Sequence, residues 1–194
     1  YHINGFFPHK LRFAADHIGA RLIHISTDCV FEGTRGGYNE YDIPDGTSTY
    51  ALTKKLGEIK APGHLTIRTS IIGPEIRSSG IGLLNWFTSQ KGTVTGYRRV
   101  LWNGVTTLEL AKAVSVLMRS PLSGIVHLFN PKVLSKYELL LLFKEVWGLQ
   151  EINVVACDTP VQDRTLLSTR RDMDYSVPDY LLMLKELEIW MSEV

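Results

Sequence analysis

Short apolar runs alternate along this chain with longer segments whose apolar residues recur at helical spacing, and this alternation constrains the fold more than any other feature. Strand-like runs separated by helices favour a parallel sheet with helices packed on its faces. The sequence therefore predicts an α/β fold rather than an all-α or all-β one. The predicted strands cover residues 21–25, 64–69, 94–102 (interrupted by Gly96), 124–129 and 154–157.

Capping residues and glycines mark where the predicted helices begin and end. Thr47 or Ser48 is a suitable N-cap for a helix that runs to about residue 60. The sequences Thr-Thr-Leu-Glu from residue 106 and Ser-Lys-Tyr-Glu from residue 135 have the spacing of capping boxes. We predict helices that end at Gly19, cover 48–60 and 81–90, begin near 106 and 135, and cover 180–191.

Composition excludes several classes of protein. The 194 residues suffice for one domain with a sizeable core, alone or with a small lobe. A formal net charge of +1 gives no reason to expect a nucleic acid or a membrane surface as partner. We expect a cytoplasmic protein, because no apolar run reaches about 18 residues and no signal-peptide pattern occurs. No histidine falls at metal-ligand spacing, so no metal site is predicted.

Small polar side chains follow two of the predicted strands. Ser26, Thr27 and Asp28 come directly after the first, and Thr69 and Ser70 end the second. Ligands of open parallel sheets bind beyond the carboxyl ends of the strands. We therefore expect these five residues to lie at a ligand-binding edge of the sheet.

A tyrosine and a lysine lie one turn apart on the next predicted helix. Tyr50 and Lys54 are four residues apart, so their side chains share one helix face. We expect the ammonium to lower the pKa of the phenol towards working pH. Such a phenol exchanges a proton with a carbonyl or alcohol oxygen, while a nicotinamide exchanges the hydride.

Each of these motifs also has a simpler interpretation. A tyrosine and a lysine at this spacing arise readily by chance in a chain with 8 tyrosines. Ser26-Thr27-Asp28 is equally suited to a turn or a helix cap. The indicative feature is their order: a strand, a hydroxyl cluster, a Gly-rich loop, and then the helix with Tyr50 and Lys54.

Four motifs together resemble the dTDP-4-dehydrorhamnose reductase branch of the extended short-chain dehydrogenases/reductases. They are H-I-S-T-D-C-V-F-E-G from residue 24, G-G-Y-N-E-Y-D-I-P from 36, Y-A-L-T-K-K-L-G-E from 50 and I-R-T-S-I-I-G from 67. The resemblance implies the C-terminal part of a Rossmann-type parallel sheet with a small α/β substrate-binding lobe. It places the Rossmann-type remainder with the catalytic residues at 1–75 and mainly the lobe at 76–194, with 98–130 returning to the Rossmann sheet.

The resemblance also implies roles for individual residues. Asn4 matches the family's asparagine on the helix before the first strand, a structural or relay residue. The implied catalytic residues are Tyr50, Lys54, Thr27 and Ser26. The implied contacts to NADPH or NADH are Lys54, Tyr50, Ser26, Thr69, Ser70 and Ile71. The implied contacts to the substrate are Thr27, Asp28, Val30, Phe31, Trp102 and Arg164, although core packing also suits Trp102 and a solvated loop also suits Arg164.

Three departures from the family pattern bear on function. Cys29 stands where an aromatic residue is usual, and Ile71 where tryptophan is frequent, so the substrate need not be the dTDP-linked sugar. The family's Gly-rich turn between the first strand and helix does not occur in this sequence. We therefore expect the chain to belong to a longer protein, in which another segment holds the cofactor pyrophosphate.

The function predicted from these features is NAD(P)H-dependent reduction of a 4-keto nucleotide-sugar in deoxysugar or cell-surface polysaccharide biosynthesis. The expected partner is the nucleotide-sugar, and a homodimer is left open. The alternative is a non-catalytic regulatory or sugar-nucleotide-binding subunit of another enzyme. A related epimerase or dehydratase is a weaker option, because the glutamate expected after Thr27 in dehydratases is absent.

Overall fold

The fold is that of a computed structural model, which describes residues 1–76, 80 and 82–193. Residue 81, where one predicted helix begins, lies outside the described residues. A π-helical turn, His2–Phe6, leads into the first α-helix. The α-helices are α1 (Phe7–His17), α2 (Thr49–Leu56), α3 (Leu83–Thr88), α4 (Thr107–Leu117), α5 (Lys136–Val146) and α6 (Tyr180–Glu193). The strands are β1 (Ile23–Thr27), β2 (Leu65–Thr69), β3 (Ile71–Ile72), β4 (Thr93–Tyr97), β5 (Val100–Trp102), β6 (Val105–Thr106), β7 (Gly124–His127), β8 (Leu134–Ser135), β9 (Asn153–Cys157) and β10 (Gln162–Asp163).

The central sheet is parallel, which confirms the predicted α/β fold. Its strand order is β1-β2-β7, and Thr27 lies beside Thr69 in the register of the first pair. Parallel pairs also join β3 to β6 and β4 to β9, while β5 pairs parallel with β10 and antiparallel with β8. None of the helices in the described residues has the length and apolar character needed to cross a membrane.

One apolar cluster connects the central sheet to the later helices. Leu65 and Ile67 of β2 belong to the same buried cluster as Phe87 of α3, Phe143 of α5 and Leu184 of α6. Each such side chain contributes about 1.5–3 kcal/mol when it is fully buried. The division of the chain into two domains at residue 75 stays a prediction.

Helix α2 ends earlier than the sequence predicts. Ser48 is its N-cap and accepts a hydrogen bond from the backbone N–H of Ala51, but the helix stops at Leu56 rather than near residue 60. A side chain at Gly57 would collide with the carbonyl oxygen of Asn4, so the two segments touch there. Beyond Gly57 the backbone of Ile59 bonds to the side chain of Thr66 in β2, which turns the chain away from the helix axis.

One further predicted strand boundary and one predicted capping box are corrected. Gly96 lies inside β4, and the break between β4 and β5 falls at residues 98–99. Ser135 forms the complete predicted capping box with Glu138. Thr106 forms only half of its box, because the Glu109 carboxylate accepts a hydrogen bond from the Tyr175 hydroxyl at 2.6 Å.

A late segment of the chain fixes the long loop that follows β1. The backbone N–H of Tyr38 donates to the carbonyl of Thr165 at 2.9 Å, and that of Leu167 donates to the carbonyl of Tyr38 at 2.8 Å. The N–H of Gly37 donates to the Thr165 hydroxyl, 128 residues away in sequence. The loop is therefore held by backbone pairing with residues near the carboxyl end of the chain.

A buried ion pair links the end of α2 to the middle of the sheet. The Arg68 guanidinium donates through Nε and Nη2 to the two Glu58 carboxylate oxygens, both at 2.7 Å. Glu58 also accepts from the Ser26 hydroxyl at 2.9 Å, and Arg68 lies 3.3 Å from Nε2 of His127. Arg68 is fully buried, so its charge is balanced inside the protein rather than by water.

We predict that Arg68→Met lowers the free energy of unfolding by about 3–5 kcal/mol, because the substitution leaves the Glu58 carboxylate buried without its partner. Arg98→Met is the matched control: Arg98 also makes a two-bond contact with a carboxylate, Asp158, but at the surface. The control substitution should lower the free energy of unfolding by less than about 1 kcal/mol. Urea unfolding measures both, and equal losses would contradict the role assigned to the buried pair.

Protonation of His127 is opposed by its surroundings. Its Nδ1 lies 2.8 Å from the carbonyl of Leu167, and its Nε2 faces the Arg68 guanidinium. Burial, with the nearby Arg68 charge, lowers the pKa of His127 to about 4. An unfolded histidine has a pKa of about 6.5, so the unfolded chain binds more protons between these values and stability falls as pH decreases.

We predict that His127→Gln reduces the loss of stability on acidification. Between pH 6.5 and pH 5 the native histidine lowers the free energy of unfolding by up to about 2 kcal/mol. Glutamine keeps hydrogen-bonding groups at this position but does not titrate in that range. Urea unfolding at pH 7 and pH 5 measures the difference. His17→Gln, the same substitution at an exposed histidine of α1, is the matched control. An unchanged dependence in His127→Gln would show that its protonation is not opposed.

Candidate active site

One cavity of about 380 Å³ gathers most of the predicted site residues at the carboxyl ends of β1 and β2. Two neighbouring strands and α2 contribute to it, as expected for a parallel sheet whose strands end at one edge. Cys29 also lies in its wall. The predicted residues that line it are Ser26, Thr27, Asp28, Tyr50, Lys54, Thr69, Ser70 and Ile71.

Thr27 ends β1 and caps the short 3₁₀ turn Asp28–Val30. Its hydroxyl accepts from the backbone N–H of Cys29 at 3.1 Å and donates to the Asp28 carboxylate at 3.2 Å. The cap fixes the hydroxyl at the cavity wall. Burial raises the pKa of Asp28, opposed mainly by the nearby Lys136 charge.

Tyr50 and Lys54 lie on α2, but the predicted effect of the lysine on the phenol is wrong. Burial raises the pKa of Tyr50, and the nearby Thr27 hydroxyl only partly opposes that increase. Burial lowers the pKa of Lys54, and its ammonium donates to the backbone carbonyl of Ile25 at 2.7 Å. Lys54 is thus directed to β1, and Tyr50 is a protonated phenol at neutral pH.

The other hydroxyl residues of the cavity are held by different partners. The Ser26 hydroxyl donates to Glu58 and is therefore part of the buried ion-pair network. The Ser70 hydroxyl accepts from the indole N–H of Trp102 at 2.9 Å. Trp102 is itself buried, so it acts on the cavity through Ser70 rather than by lining it. Ile71 is 48% exposed and leaves one side of the cavity open.

Arg164 contacts the segment that follows the hydroxyl cluster. Its Nε donates to the carbonyl of Phe31 at 2.9 Å, and its Nη1 lies 3.8 Å from the Cys29 sulfur. The side chains of Val30 and Phe31 are fully buried in a small cluster with Tyr38. The structure therefore does not bring these two side chains into the cavity. Their substrate contacts stay a prediction.

Two residues at or near the site, Lys136 and Glu58, were not predicted from the sequence. Lys136 lies in a second cavity of about 690 Å³, whose walls include Trp86, Tyr97 and Leu140. Its ammonium lies 5.0 Å from the centre of the Trp102 ring. Among the neighbouring charges, that of Asp28 has the largest effect on the pKa of Lys136. Trp102 thus links Lys136 of this cavity to Ser70 of the smaller one. The sequence around Lys136 predicted only the capping box at the start of α5, and no nearby residue indicated that Lys136 lies in a cavity.

The geometry suits transfer of a proton to an oxygen atom. A protonated phenol, 50% exposed, stands beside a fixed threonine hydroxyl at a cavity open on one side. An ammonium offers three hydrogen-bond donors, and the carbonyl of Ile25 takes one of those of Lys54. The remaining donors of Lys54 suit the hydroxyl groups of a sugar or a ribose.

The parallel sheet, with Tyr50 and Lys54 on a helix beside its strand ends, defines an α/β protein with a cavity at the carboxyl ends of its strands. A family model described as RmlD substrate binding domain matches residues 1–166. The chain belongs to this family, within the dTDP-4-dehydrorhamnose reductase branch of the extended short-chain dehydrogenases/reductases, as its motifs predicted.

Several curated proteins are similar to the chain. The spore coat polysaccharide biosynthesis protein SpsK of Bacillus subtilis is 30% identical over 155 residues, covering 77% of this chain and 54% of that protein. The dTDP-4-dehydrorhamnose reductase of Mycobacterium tuberculosis is 29% identical, covering 71% and 49%. The chain thus spans about half the length of these relatives. A stretch of 41 residues is 54% identical to methionine adenosyltransferase 2 subunit beta of Bos taurus, covering 21% of this chain and 12% of that protein.

Solved structures share the fold. The dTDP-4-dehydrorhamnose reductase of Bacillus anthracis in complex with NADP has a TM-score of 0.82 at 20% identity, covering 97% of this chain and 72% of that one. A protein described as a hypothetical dTDP-4-dehydrorhamnose reductase from Sulfolobus tokodaii has a TM-score of 0.74 at 27% identity, covering 91% and 68%.

Proposed function

We propose that the chain carries the acid–base site of an NAD(P)H-dependent reductase that acts on a 4-keto nucleotide-sugar. The observation that carries this proposal is the convergence of Thr27, Tyr50 and Lys54 on one cavity at the strand ends. The similarity to a polysaccharide biosynthesis protein and to dTDP-4-dehydrorhamnose reductases supports a role in making deoxysugars or surface polysaccharides. We expect this enzyme to work in the cytoplasm.

Each cavity residue has a separate task in this mechanism. The Thr27 hydroxyl holds the carbonyl oxygen of the sugar, and the Tyr50 phenol donates its proton to that oxygen. A phenol whose pKa is raised by burial is fully protonated before the reaction, as a proton donor must be. Ser70, fixed by Trp102, and Thr69 close the cavity beside β2.

The residues present fit the nicotinamide end of a dinucleotide. Lys54 has donors left for ribose hydroxyls, and Thr69, Ser70 and the exposed Ile71 offer a surface for a flat ring. When bound, the nicotinamide supplies the hydride that reduces the carbonyl carbon. The choice between NADH and NADPH is not set by these residues.

The larger cavity suits the nucleoside part of the substrate. Trp86 and Tyr97 are 40% and 38% exposed at its wall, and Gln90 contributes an amide there. Aromatic faces and an amide are suited to a flat base with hydrogen-bonding edges. Lys136 of this cavity lies over Trp102, which is bonded to Ser70 of the Tyr50 cavity. We therefore expect a molecule with a base at one end and a sugar at the other to span both cavities.

We expect the full-length protein to oxidise NADPH or NADH in the presence of a 4-keto nucleotide-sugar. Tyr50→Phe should lower kcat by about 10²–10⁴-fold, because it removes the general acid but keeps the ring. Tyr41→Phe, at a loop tyrosine that is 81% exposed, is the matched control and should keep full activity. Absorbance at the reduced nicotinamide band measures turnover. Wild-type turnover that survives Tyr50→Phe would contradict the role of Tyr50.

A second candidate is a non-catalytic subunit that binds a nucleotide-sugar or a nucleotide. The similarity to methionine adenosyltransferase 2 subunit beta favours it, as does the substitution of sugar-pocket positions by Cys29 and Ile71. Binding of nucleotide-sugar without turnover of any 4-keto sugar tested, together with tight association with another enzyme, would support this candidate instead.

A further inference from the structure

Lys136 is a cation without a matching partner at the junction of the two cavities. Among the residues that the structure describes, its ammonium forms no hydrogen bond and no ion pair within 4.0 Å. It lines the larger cavity, and the nearby charge of Asp28 belongs to the wall of the smaller one. The Lys136 ammonium thus lines the larger cavity and lies over Trp102, whose indole N–H is bonded to Ser70 of the smaller one.

Two physical effects disfavour the positive charge of Lys136 as the protein stands. Lys136 is the first residue of α5, where the helix dipole is unfavourable for a cation. Burial lowers its pKa to about 8, and only the Trp102 ring and the Asp28 carboxylate nearby offset that cost. A lysine held under these conditions is suited to an anion that arrives with a ligand.

The backbone around Lys136 is fixed by the complete capping box of α5. Ser135 and Glu138 bond reciprocally, with the Ser135 N–H donating to Glu138 Oε2 at 2.7 Å. The ammonium lies over the Trp102 ring, whose own indole N–H is bonded to Ser70 in the smaller cavity. The backbone that carries this lysine is therefore fixed, and Trp102 connects its ammonium to the Tyr50 site.

We infer that Lys136 binds the phosphate groups of the nucleotide-sugar and holds them between the two cavities. This inference rests on the proposed function, since it deepens the recognition of the same substrate. An ammonium that bonds a phosphate replaces the water it lost on burial, and it sets the distance between the base and the reacting sugar carbon. Lys136 is accordingly a specificity-determining residue rather than a catalytic one.

Isothermal titration of the full-length protein with dTDP and UDP, and with thymidine and uridine as probes without phosphate, tests this inference. Lys136→Met should weaken diphosphate binding at least about tenfold and leave nucleoside binding within about twofold. Lys136→Arg keeps the charge and should bind the diphosphate within about threefold of the wild type. Lys132→Met, at an exposed lysine just before α5, is the matched control and should change neither affinity.

Two outcomes would overturn the inference: diphosphate binding that survives Lys136→Met, or an equal loss of nucleoside and diphosphate binding. A wild-type protein that binds neither diphosphate would also overturn it. Turnover is assayed in parallel and separates the two proposals. Diphosphate binding that depends on Lys136 without reduction of any keto sugar would uphold this inference and refute the reductase.

Discussion

The buried pair of Arg68 and Glu58 is the interaction on which the site depends. It joins the middle of the central sheet to the segment after α2, and through Ser26 and His127 it reaches the two strands on either side of β2. Two opposite charges taken out of water must remain in contact, so the end of α2 cannot move away from the sheet without exposing them. Tyr50 and Lys54 lie on the helix that this pair restrains.

Desolvation is the dominant electrostatic effect throughout the site. It raises the pKa values of Asp28 and Tyr50 and lowers those of Lys54 and Lys136, so every one of these groups is shifted towards its neutral form. The neighbouring charges reduce these shifts but do not reverse them. An anion brought by a ligand would stabilise the charged forms of the two lysines, which burial disfavours.

The sequence was sufficient for those features that depend on neighbours along the chain. The α/β alternation, the strand end at Thr69, and the caps at Ser48 and Ser135 all follow from local pattern and side-chain chemistry. The first strand was predicted at 21–25, but β1 extends to Thr27 and includes Ser26. The proximity of Tyr50 to the hydroxyl cluster was also predicted. The strand ends of a parallel sheet lie at one edge, and the family resemblance supplied the order of the motifs.

The remaining features depend on contacts between distant residues. Helix α2 ends early where Gly57 approaches Asn4. The capping box of Thr106 is only half formed because Tyr175 bonds to Glu109. The position of Lys136 in the wall of the larger cavity depends on how distant elements pack together. The lowered pKa expected for Tyr50 failed for the same reason, since burial is set by the whole fold.

The pairing of the loop at Tyr38 with the segment around Thr165 has a consequence for synthesis of the protein. A ribosome releases the chain from its amino end, and the partners in this pairing lie 128 residues apart in the case of Gly37 and Thr165. At about 5–20 residues per second, several seconds pass between the appearance of the loop and that of the strand-like segment that fixes it. During that interval the loop next to the hydroxyl cluster lacks its backbone partners. The loop that follows the hydroxyl cluster is therefore completed only after Thr165 and Leu167 have been made, although Gly37 precedes Thr165 by 128 positions.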